Sequence, residues 1–345
     1  MSEEKPKKRF HIKTTLILLL FAAGTYAAFL GPSILKPINP PVILPSEPTG
    51  LSIGGFQISN TILATLVADL ILLLLAFFGS RKFAASGQLV PKGIYNAFEA
   101  IVQFLWDTVE SSAGKWAKKI FPIPATIFLL IFVANMIKLV PGFESIGRLE
   151  AAHQGKGYAP VQLFKIGSLG VYTIDKNQPR TIELNSNENE ASIHTEGQEI
   201  CEACEIIPFL RGTATDINFP FALALITVLM TQVFGVWALG MGYFEKYFPV
   251  GELLSGSPFG MINFAVGLLE IILELAKILS FGFRLFGNIF AGALLLSIIG
   301  ALTAVAIPPV LYLFEIFFGI IQAYVFYLLA TIFISGATVG HHATE

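Results

Sequence analysis

The residues of this chain that carry the most chemical information are charged side chains within long apolar segments. Arg284 lies in the stretch FGFRLFGNIF, which contains no other charge. A guanidinium at the depth of a bilayer costs at least about 2.5–3.5 kcal/mol. The ordinary alternative is that the side chain extends to a lipid headgroup. Long apolar runs on both sides of Arg284 disfavour that alternative and indicate an intramembrane charge with a function.

Other polar side chains share one face of a helix with Arg284. At 100° per residue, five side chains lie within about 40° of one line: Glu270, Glu274, Lys277, Arg284 and Asn288. Ser280 lies at the edge of this stripe. A helix rises about 21 Å between Glu270 and Arg284. We therefore expect the carboxylates near one membrane surface and Arg284 deep in the bilayer.

The final apolar segment repeats this pattern more sparsely. Glu315 and Gln322 are seven residues apart in the sequence and so share a helix face. Hydrogen bonds that merely join the helices would explain the amides and Ser280. They explain Glu270, Arg284 and Glu315 poorly, because each charge adds a cost that an amide avoids. The two stripes together predict a route for an ion or a proton through hydrocarbon.

The composition is that of a polytopic membrane protein. Of the 345 residues, 54% are hydrophobic and 13% are charged, and the mean hydropathy is +0.70. The net charge of −2 disfavours nucleic acid as a partner. The sequence has neither a phosphate-binding P-loop nor an HExxH pair, so we expect no cofactor and no nucleotide catalysis. Cys201 and Cys204 form a CxxC pair, which fits either a local disulfide or two thiols.

Apolar runs of about 20 residues organise the first part of the chain. Residues 1–30 combine a basic N-terminus with a signal anchor or a cleavable signal peptide, and residues 31–59 form an external segment rich in proline and glycine. Residues 60–140 contain two spans, Asn60–Gly79 and Ile123–Val140, joined by a basic stretch that we place in the cytoplasm. Apolar residues at helical spacing in that stretch predict an amphipathic helix on the membrane surface: Ile94, Phe98, Ile101, Val102, Leu105 and Val109.

The second part of the chain changes character twice. Residues 141–212 are polar and acidic toward their end, which predicts an external insertion with short strands around Val161–Ile174. Residues 213–345 contain three apolar segments, near Phe219–Leu239, Gly260–Leu302 and Pro309–Ala337. The last two exceed one perpendicular crossing, and strong tilt would accommodate them. With the first apolar segment retained, both termini face the cytoplasm.

Four blocks of this sequence resemble subunit a of F-type ATP synthases, the ion-conducting stator subunit of the membrane sector. The blocks are ELAKILSFGFRLFGNIFAG (274–292), TIFLLIFVANMIKLVPG (126–142), TATDINFPFALALITVL (213–229) and IIQAYVFYLLATIFIS (320–335). The RLFGN motif is highly specific, and the blocks occur in the family's order. The resemblance extends from about Asn60 to the C-terminus. It excludes the first hydrophobic segment and most of residues 145–210.

The resemblance implies a role for each member of the polar stripes. Arg284 matches the essential arginine that faces the rotor ring. Glu270 matches the acid of the cytoplasmic half-channel, and Glu274, one turn away, is placed to substitute for it. Polar positions near the ion path are matched by Lys277, Ser280, Asn288 and Gln322.

The external half-channel departs from the family pattern. Glu315 occupies a position held by histidine or glutamate in the family. Ala293 stands where members often place an acid or a histidine, and Lys138 stands three residues after Asn135, where some relatives carry an acid. The external half-channel is therefore expected to depend heavily on Glu315.

The resemblance implies an all-α polytopic membrane protein with five family-type membrane helices, the last two long and strongly tilted. An extra N-terminal hydrophobic segment and an amphipathic surface helix complete the fold. The implied function is that of a proton-conducting stator that forms two offset half-channels against a c-ring and couples translocation to rotary ATP synthesis. Nucleotide catalysis would then lie on partner subunits.

The expected partners are the c-ring, b-type peripheral-stalk subunits, the whole F1Fo ATP synthase and the lipid bilayer. The expected location is a bacterial inner or plasma membrane, with the C-terminus in the cytoplasm. H⁺ and Na⁺ both remain open as the ion. An ion-coupled secondary transporter is the alternative function, although the sequence shows no internal repeat typical of that class.

Overall fold

A computed structural model describes residues 12–30, 46–86, 93–140, 142–152, 156–166, 169–181, 192–195, 198–201, 203–248, 258–303 and 307–339. Its α-helices are α1 (Ile12–Phe29), α2 (Asn60–Ser86), α3 (Ile94–Ala113), α4 (Ala117–Ile120), α5 (Pro122–Ile137), α6 (Asn218–Leu239), α7 (Pro258–Thr303) and α8 (Pro308–Ala337). Its strands are β1 (Pro48–Ile53), β2 (Phe56–Ser59), β3 (Gly147–Ala151), β4 (Lys156–Ile166), β5 (Leu169–Thr181), β6 (Ser192–Thr195), β7 (Gln198–Cys201) and β8 (Cys204–Pro208). The basic N-terminal residues 5–9, the proline-rich residues 31–45 and the acidic positions 183–190 lie outside the described residues.

The chain divides into two compact units, which we treat separately. The larger contains the described residues of Ile43–Glu144, Phe209–Ala291 and Ile316–Glu345. The smaller contains those of Met1–Val42, Ser145–Pro208 and Gly292–Glu315.

Three helices in the described part of the chain are long and apolar enough to cross a membrane. They are Asn60–Gly79 in α2, Asn218–Lys246, in which α6 continues into a 3₁₀ turn, and Pro308–Ala337, which is α8. A fourth is obtained if Asn96–Ile120 and Pro122–Ile137, bent by 95°, count as one broken span. The apolar segments predicted from the sequence are thus confirmed as helices. The helix α7 runs without a break for 46 residues, a length of about 69 Å.

The amphipathic helix predicted after α2 is α3. Leu105 and Val109, on its predicted apolar face, are fully buried. The hydroxyl of Tyr327 on α8 donates a hydrogen bond to the carbonyl oxygen of Leu105. The polar face is exposed, and there the amide of Gln103 donates a hydrogen bond of 2.7 Å to Asp107. The apolar face of α3 therefore packs against other helices of this chain, while its location at the membrane surface stays a prediction.

The central part of α7 is fixed by its apolar face. Phe281 and Leu285 are buried and lie four residues apart, on one side of the helix. The ring of Phe281 lies 4.8 Å from that of Phe326 on α8. A β-carbon on Gly282 would lie 2.7 Å from the ring of Phe221 on α6, so the close approach of α6 and α7 requires glycine there. Because these contacts fix the rotation of α7, they also fix the direction of its polar stripe.

Most of the described residues between Gly147 and Pro208 form strands. β4 and β5 pair antiparallel, with Val161 opposite Thr173, which confirms the strands predicted around Val161–Ile174. β8 pairs with both β3 and β4, and the sheet has the order β3-β8-β4-β5. Cys201 and Cys204 form a disulfide, so the alternative of two thiols is wrong. The protein is thus mostly helical, with a small sheet in the polar insertion.

A partly buried polar cluster surrounds Arg211. Burial lowers the pKa of its guanidinium, and the nearby carboxylates of Glu144, Glu47 and Asp216 oppose that effect. The hydroxyl of Thr61 donates a hydrogen bond of 3.1 Å to Asp216. The cluster therefore joins the first turn of α2 to the segments that follow α5 and precede α6.

Candidate functional site

The polar stripe of α7 opens into a cavity of about 410 Å³ between α7 and α8. Its polar lining comes from four residues of the predicted site: Glu270, Lys277, Ser280 and Arg284. Its apolar lining consists of Leu273, Ala276, Phe281, Leu329 and Phe333. The helical spacing predicted one face for these four residues, and in the structure all four line the same cavity.

Arg284 is the exposed charge of this cavity. Its neighbour Leu285 is fully buried, so two consecutive residues of α7 face the cavity and the protein core respectively. In the described part of the chain no carboxylate lies within ion-pair distance of its guanidinium. Because a guanidinium does not lose its proton in proteins, Arg284 presents a permanent positive charge at the cavity surface.

Glu270 lies at the other end of the same cavity. Its side chain is 30% exposed, and its Oε1 lies 3.6 Å from the ammonium nitrogen of Lys246. The geometry thus gives Glu270 access both to the cavity and to solvent.

Glu274 differs from Glu270, although the two lie one turn apart. It is buried and does not line the cavity. Its Oε1 lies 3.0 Å from the ammonium nitrogen of Lys277 and 3.3 Å from that of Lys246. The hydroxyl of Tyr247 lies 3.1 Å from the same oxygen. The carboxylate of Glu274 is therefore the shared counter-ion of two lysines, an arrangement that the helical stripe alone did not reveal.

Tyr247 connects this cluster to α6. Its hydroxyl lies 2.8 Å from Oε1 of Gln232 as well as near Glu274. Burial raises the pKa of Tyr247 above its ordinary value, so the phenol keeps its proton at neutral pH and stays a hydrogen-bond donor.

Asn288 and Gln322 lie outside the cavity lining. Asn288 is half-buried, whereas Gln322 is buried. Among the described residues, Nε2 of Gln322 has no hydrogen-bond partner. A buried amide donor without a partner is costly, so this nitrogen is suited to bind a water molecule or an incoming polar group.

Asn135 lies on α5, in the sequence block 126–142, and joins α5 to α8. Its Nδ2 donates a hydrogen bond of 3.2 Å to the carbonyl oxygen of Gly319 on α8. A β-carbon on Gly319 would lie 3.2 Å from the β-carbon of Asn135, so glycine allows α5 and α8 to approach closely enough for this bond.

Glu315 belongs to the smaller unit, near the start of α8. Its side chain is half-buried, and its Oε1 lies 3.5 Å from where a β-carbon on Gly292 would stand. Gly292 immediately precedes Ala293, the position at which the family often places an acid or a histidine. The carboxylate of Glu315 thus reaches the part of α7 where the sequence lacks a titratable group.

The sequence reasoning missed three residues that surround Glu274. They are Gln232, Lys246 and Tyr247. They lie outside α7, so the periodicity of that helix carries no information about them. The one available signal was a lysine at the end of an apolar span, close in sequence to a tyrosine.

The fold and this site define a polytopic helical membrane protein with charged groups suited to ion translocation inside its helices. The chain matches the family model described as ATP synthase A chain over residues 62–335. ATP synthase subunit a of Mycobacterium ulcerans is 29% identical over 290 residues, which cover 81% of this chain and 86% of the relative. ATP synthase subunit a of Moorella thermoacetica is 23% identical over 290 residues, or 84% of this chain and 95% of the relative.

A further relative is titled ATP synthase subunit a, sodium ion specific, from Propionigenium modestum. It is 25% identical over 343 residues, covering 93% of this chain and 94% of the relative. The chain belongs to the ATP synthase A chain family. It is accordingly an ion-translocating membrane subunit of an ATP synthase complex and not its catalytic subunit.

Proposed function

We propose that this chain conducts protons along two offset half-channels against a rotor ring, with Arg284 at their junction. The observation that carries the proposal is the cavity between α7 and α8, in which Glu270 and Arg284 line the same space. Arg284 has no ion-pair partner among the described residues, so its charge is available to an acid supplied by another subunit.

The chemistry follows from the permanent charge of Arg284. An opposite charge within about 4–6 Å lowers a carboxyl pKa by 1–3 units. A rotor carboxyl that passes Arg284 would therefore release its proton toward Glu270. Away from Arg284 the same carboxyl must be neutral, because an ionised acid facing lipid is too costly. The fixed cation also prevents a proton from passing directly between the half-channels.

The cytoplasmic half-channel would comprise Glu270, Ser280 and Lys277. The carboxylate of Glu270 accepts the proton and passes it to water, while the hydroxyl of Ser280 lines the cavity between Glu270 and Arg284. The external half-channel would use Glu315 as its acid, with Asn288 and Gln322 as polar groups. The unpartnered Nε2 of Gln322 supports this role, since a buried donor is available there.

The proposed topology has five family-type spans, in α2, α5, α6, α7 and α8, with α3 on the membrane surface. A helix of about 69 Å is more than twice as long as the ~30 Å hydrocarbon core, so we propose that α7 is strongly tilted, and α8 with it. The C-terminus lies in the cytoplasm of a bacterium. The partners are a c-ring and b-type stalk subunits. Each proton that crosses 100 mV supplies about 2.3 kcal/mol, so several are needed for each ATP.

Sodium is the second candidate ion, because one relative is titled sodium ion specific. The test uses the whole complex in sealed vesicles. ATP-driven acidification of the lumen is followed with a pH-sensitive dye, with and without Na⁺. We expect acidification in Na⁺-free buffer that a protonophore abolishes. Acidification that requires Na⁺, or ATP-driven ²²Na⁺ uptake that resists a protonophore, would overturn the proton assignment.

The role of Arg284 is tested in the same vesicles. Arg284→Ala should abolish acidification in a complex that still contains all its subunits. Arg81→Ala is the matched control, because Arg81 is an exposed arginine at the end of α2 whose guanidinium lies 4.4 Å from the ring of Phe77. Equal pumping by the Arg284→Ala complex and the control would refute the proposal.

A further inference from the structure

The ion pairs next to Glu270 are arranged unequally. The ammonium of Lys246 lies 3.6 Å from Glu270 and 3.3 Å from Glu274. Lys277 lies 3.0 Å from Glu274. Glu274 thus has two cations and Glu270 has one. The single cation at Glu270 comes from the turn after α6, not from the helix that carries the polar stripe.

Lys246 is held firmly in this position. Its side chain is 14% exposed. Its ammonium nitrogen lies 4.6 Å from the ring centroid of Tyr243 and 4.5 Å from that of Tyr247, distances typical of cation–π contacts. A buried lysine with two aromatic rings and a buried carboxylate around it is a constructed site, whereas surface lysines rarely keep one geometry.

We propose that Lys246 is a positioning residue that holds the carboxylate of Glu270 at the mouth of the cavity through an ion pair, and that Glu274 anchors Lys246 without carrying protons itself. This inference rests on the proposed function of Glu270 as the proton acceptor. The carboxylate of Glu274 suits an anchor because it is buried, lies outside the cavity lining and is already bound by two ammonium groups.

The groups that face Glu270 come from three elements. The turn after α6 supplies Lys246 with Tyr243 and Tyr247. Within α7, the charged groups on the same stripe are Glu274, Lys277 and Arg284, of which Arg284 lies about 21 Å further along the helix. The lining from α8, Leu329 and Phe333, is apolar. Among the described residues Lys246 is therefore the one cation within ion-pair distance of Glu270, and its removal leaves that carboxylate without an ion pair.

The test measures ATP synthesis, driven by an imposed gradient, in vesicles that contain the whole complex at a series of cytoplasmic-side pH values. Lys246→Gln and Lys246→Met both remove the charge, and Met keeps much of the packing. Loss of a neighbouring cation favours the protonated form of a carboxylate, and that form cannot accept a proton. The acid limb of the profile should move by about one unit toward alkaline pH in both variants. Lys246→Arg should restore it.

Lys118→Gln is the matched control, since it removes the same charge from an exposed lysine on α4. Its profile should coincide with wild type. An unshifted acid limb in both Lys246→Gln and Lys246→Met, or failure of Lys246→Arg to restore it, would overturn the inference. A lower rate at every pH without a shift would identify a purely structural role and would overturn it as well.

Two double variants test the assigned roles. Lys246→Gln should cause no further shift in a Glu270→Gln background, because the group on which it acts is gone. The double variant Lys246→Gln, Glu274→Gln should have the same pH profile and the same rate of ATP synthesis as Lys246→Gln alone. Glu274 acts by holding Lys246, so it has no effect once the lysine is gone. An additional loss of rate in this second double variant would show that Glu274 carries protons.

This test and the test of the proposed function fail in different ways. If wild type pumps protons and Arg284→Ala does not, the proposed function stands, whatever the Lys246 profiles show. If Arg284→Ala pumps normally, the proposed function is wrong, and the origin of any Lys246 effect lies outside the cavity.

Discussion

The α7 segment from Glu270 to Asn288 and the strands from β3 to β8 use charge in opposite ways. The α7 segment has four charged residues, and each occupies a defined place. Glu270 and Arg284 line the cavity, Glu274 is buried in an ion pair, and Lys277 both lines the cavity and forms that ion pair. In the strands, Arg148 and Glu150 form an ion pair in which both side chains are 33% exposed. Such a pair is screened by water and contributes little.

The difference teaches where a charge is informative. In an apolar helix each ionised group carries a cost of several kcal/mol unless it is compensated, so its presence calls for a function. In a hydrated sheet the same group costs almost nothing. Substitutions in the α7 segment should therefore have large effects on ion flux, and changes in the sheet small ones.

The largest effect is expected for Arg284→Ala. Loss of a positioned charge of this kind typically costs on the order of 100-fold or more in rate. ATP-driven pumping should fall at least this far in an assembled complex. Arg284→Lys should also fail or nearly fail, because a lysine ammonium is more compact, more hydrated and loses its proton more readily when buried. Normal coupled synthesis in either assembled variant would contradict the comparison.

Glu315→Gln should have the next largest effect. A group that relays protons contributes about 100-fold at the lower end, and Ala293 offers no substitute beside it. Glu315→His should recover part of the flux, since imidazole also relays protons near neutral pH. The measurement is passive proton flux through the membrane sector after removal of the catalytic subunits. If Glu315→Gln conducts normally, the external path lies elsewhere.

Glu270→Gln should slow flux by roughly 10-fold, which is less than a full relay group would contribute. Ser280 also lines the cavity, and its hydroxyl offers the proton a second polar group beside the lost carboxylate. Pumping rate against pH is the measurement. Glu245→Gln is a suitable control, because Glu245 is an exposed acid of the turn after α6. Flux equal to wild type at every pH would show that Glu270 is merely interfacial.

The smallest effect is expected from deletion of residues 155–199. β3 and β8 pair directly, with Ala151 opposite Cys204, so their pairing and the disulfide survive the deletion. Pumping should stay within about twofold of wild type, because no described residue of this segment lines the cavity or pairs with its charged groups. Loss of pumping from a correctly assembled complex would place this region on the entry path of the ion.

Much of the helical part of the structure could be predicted from the sequence. The runs at 60–79, 219–239 and 309–337 are long and apolar, and a helix is the structure that satisfies their backbone in hydrocarbon. The strands around Val161–Ile174 also followed from local composition. The sheet order β3-β8-β4-β5 did not, because pairing between distant strands leaves no mark in local sequence.

The candidate site also has features that follow from local sequence and features that depend on contacts between distant elements. Helical periodicity and the cost of charge act within one element, so the residues of α7 that share a face could be predicted from the sequence. Three-dimensional packing was needed to show that Glu270 lines a cavity while Glu274 is buried between two lysines. That distinction depends on Lys246 and Tyr247, which reach α7 from another element, and contacts between elements are set by packing rather than by spacing along the chain.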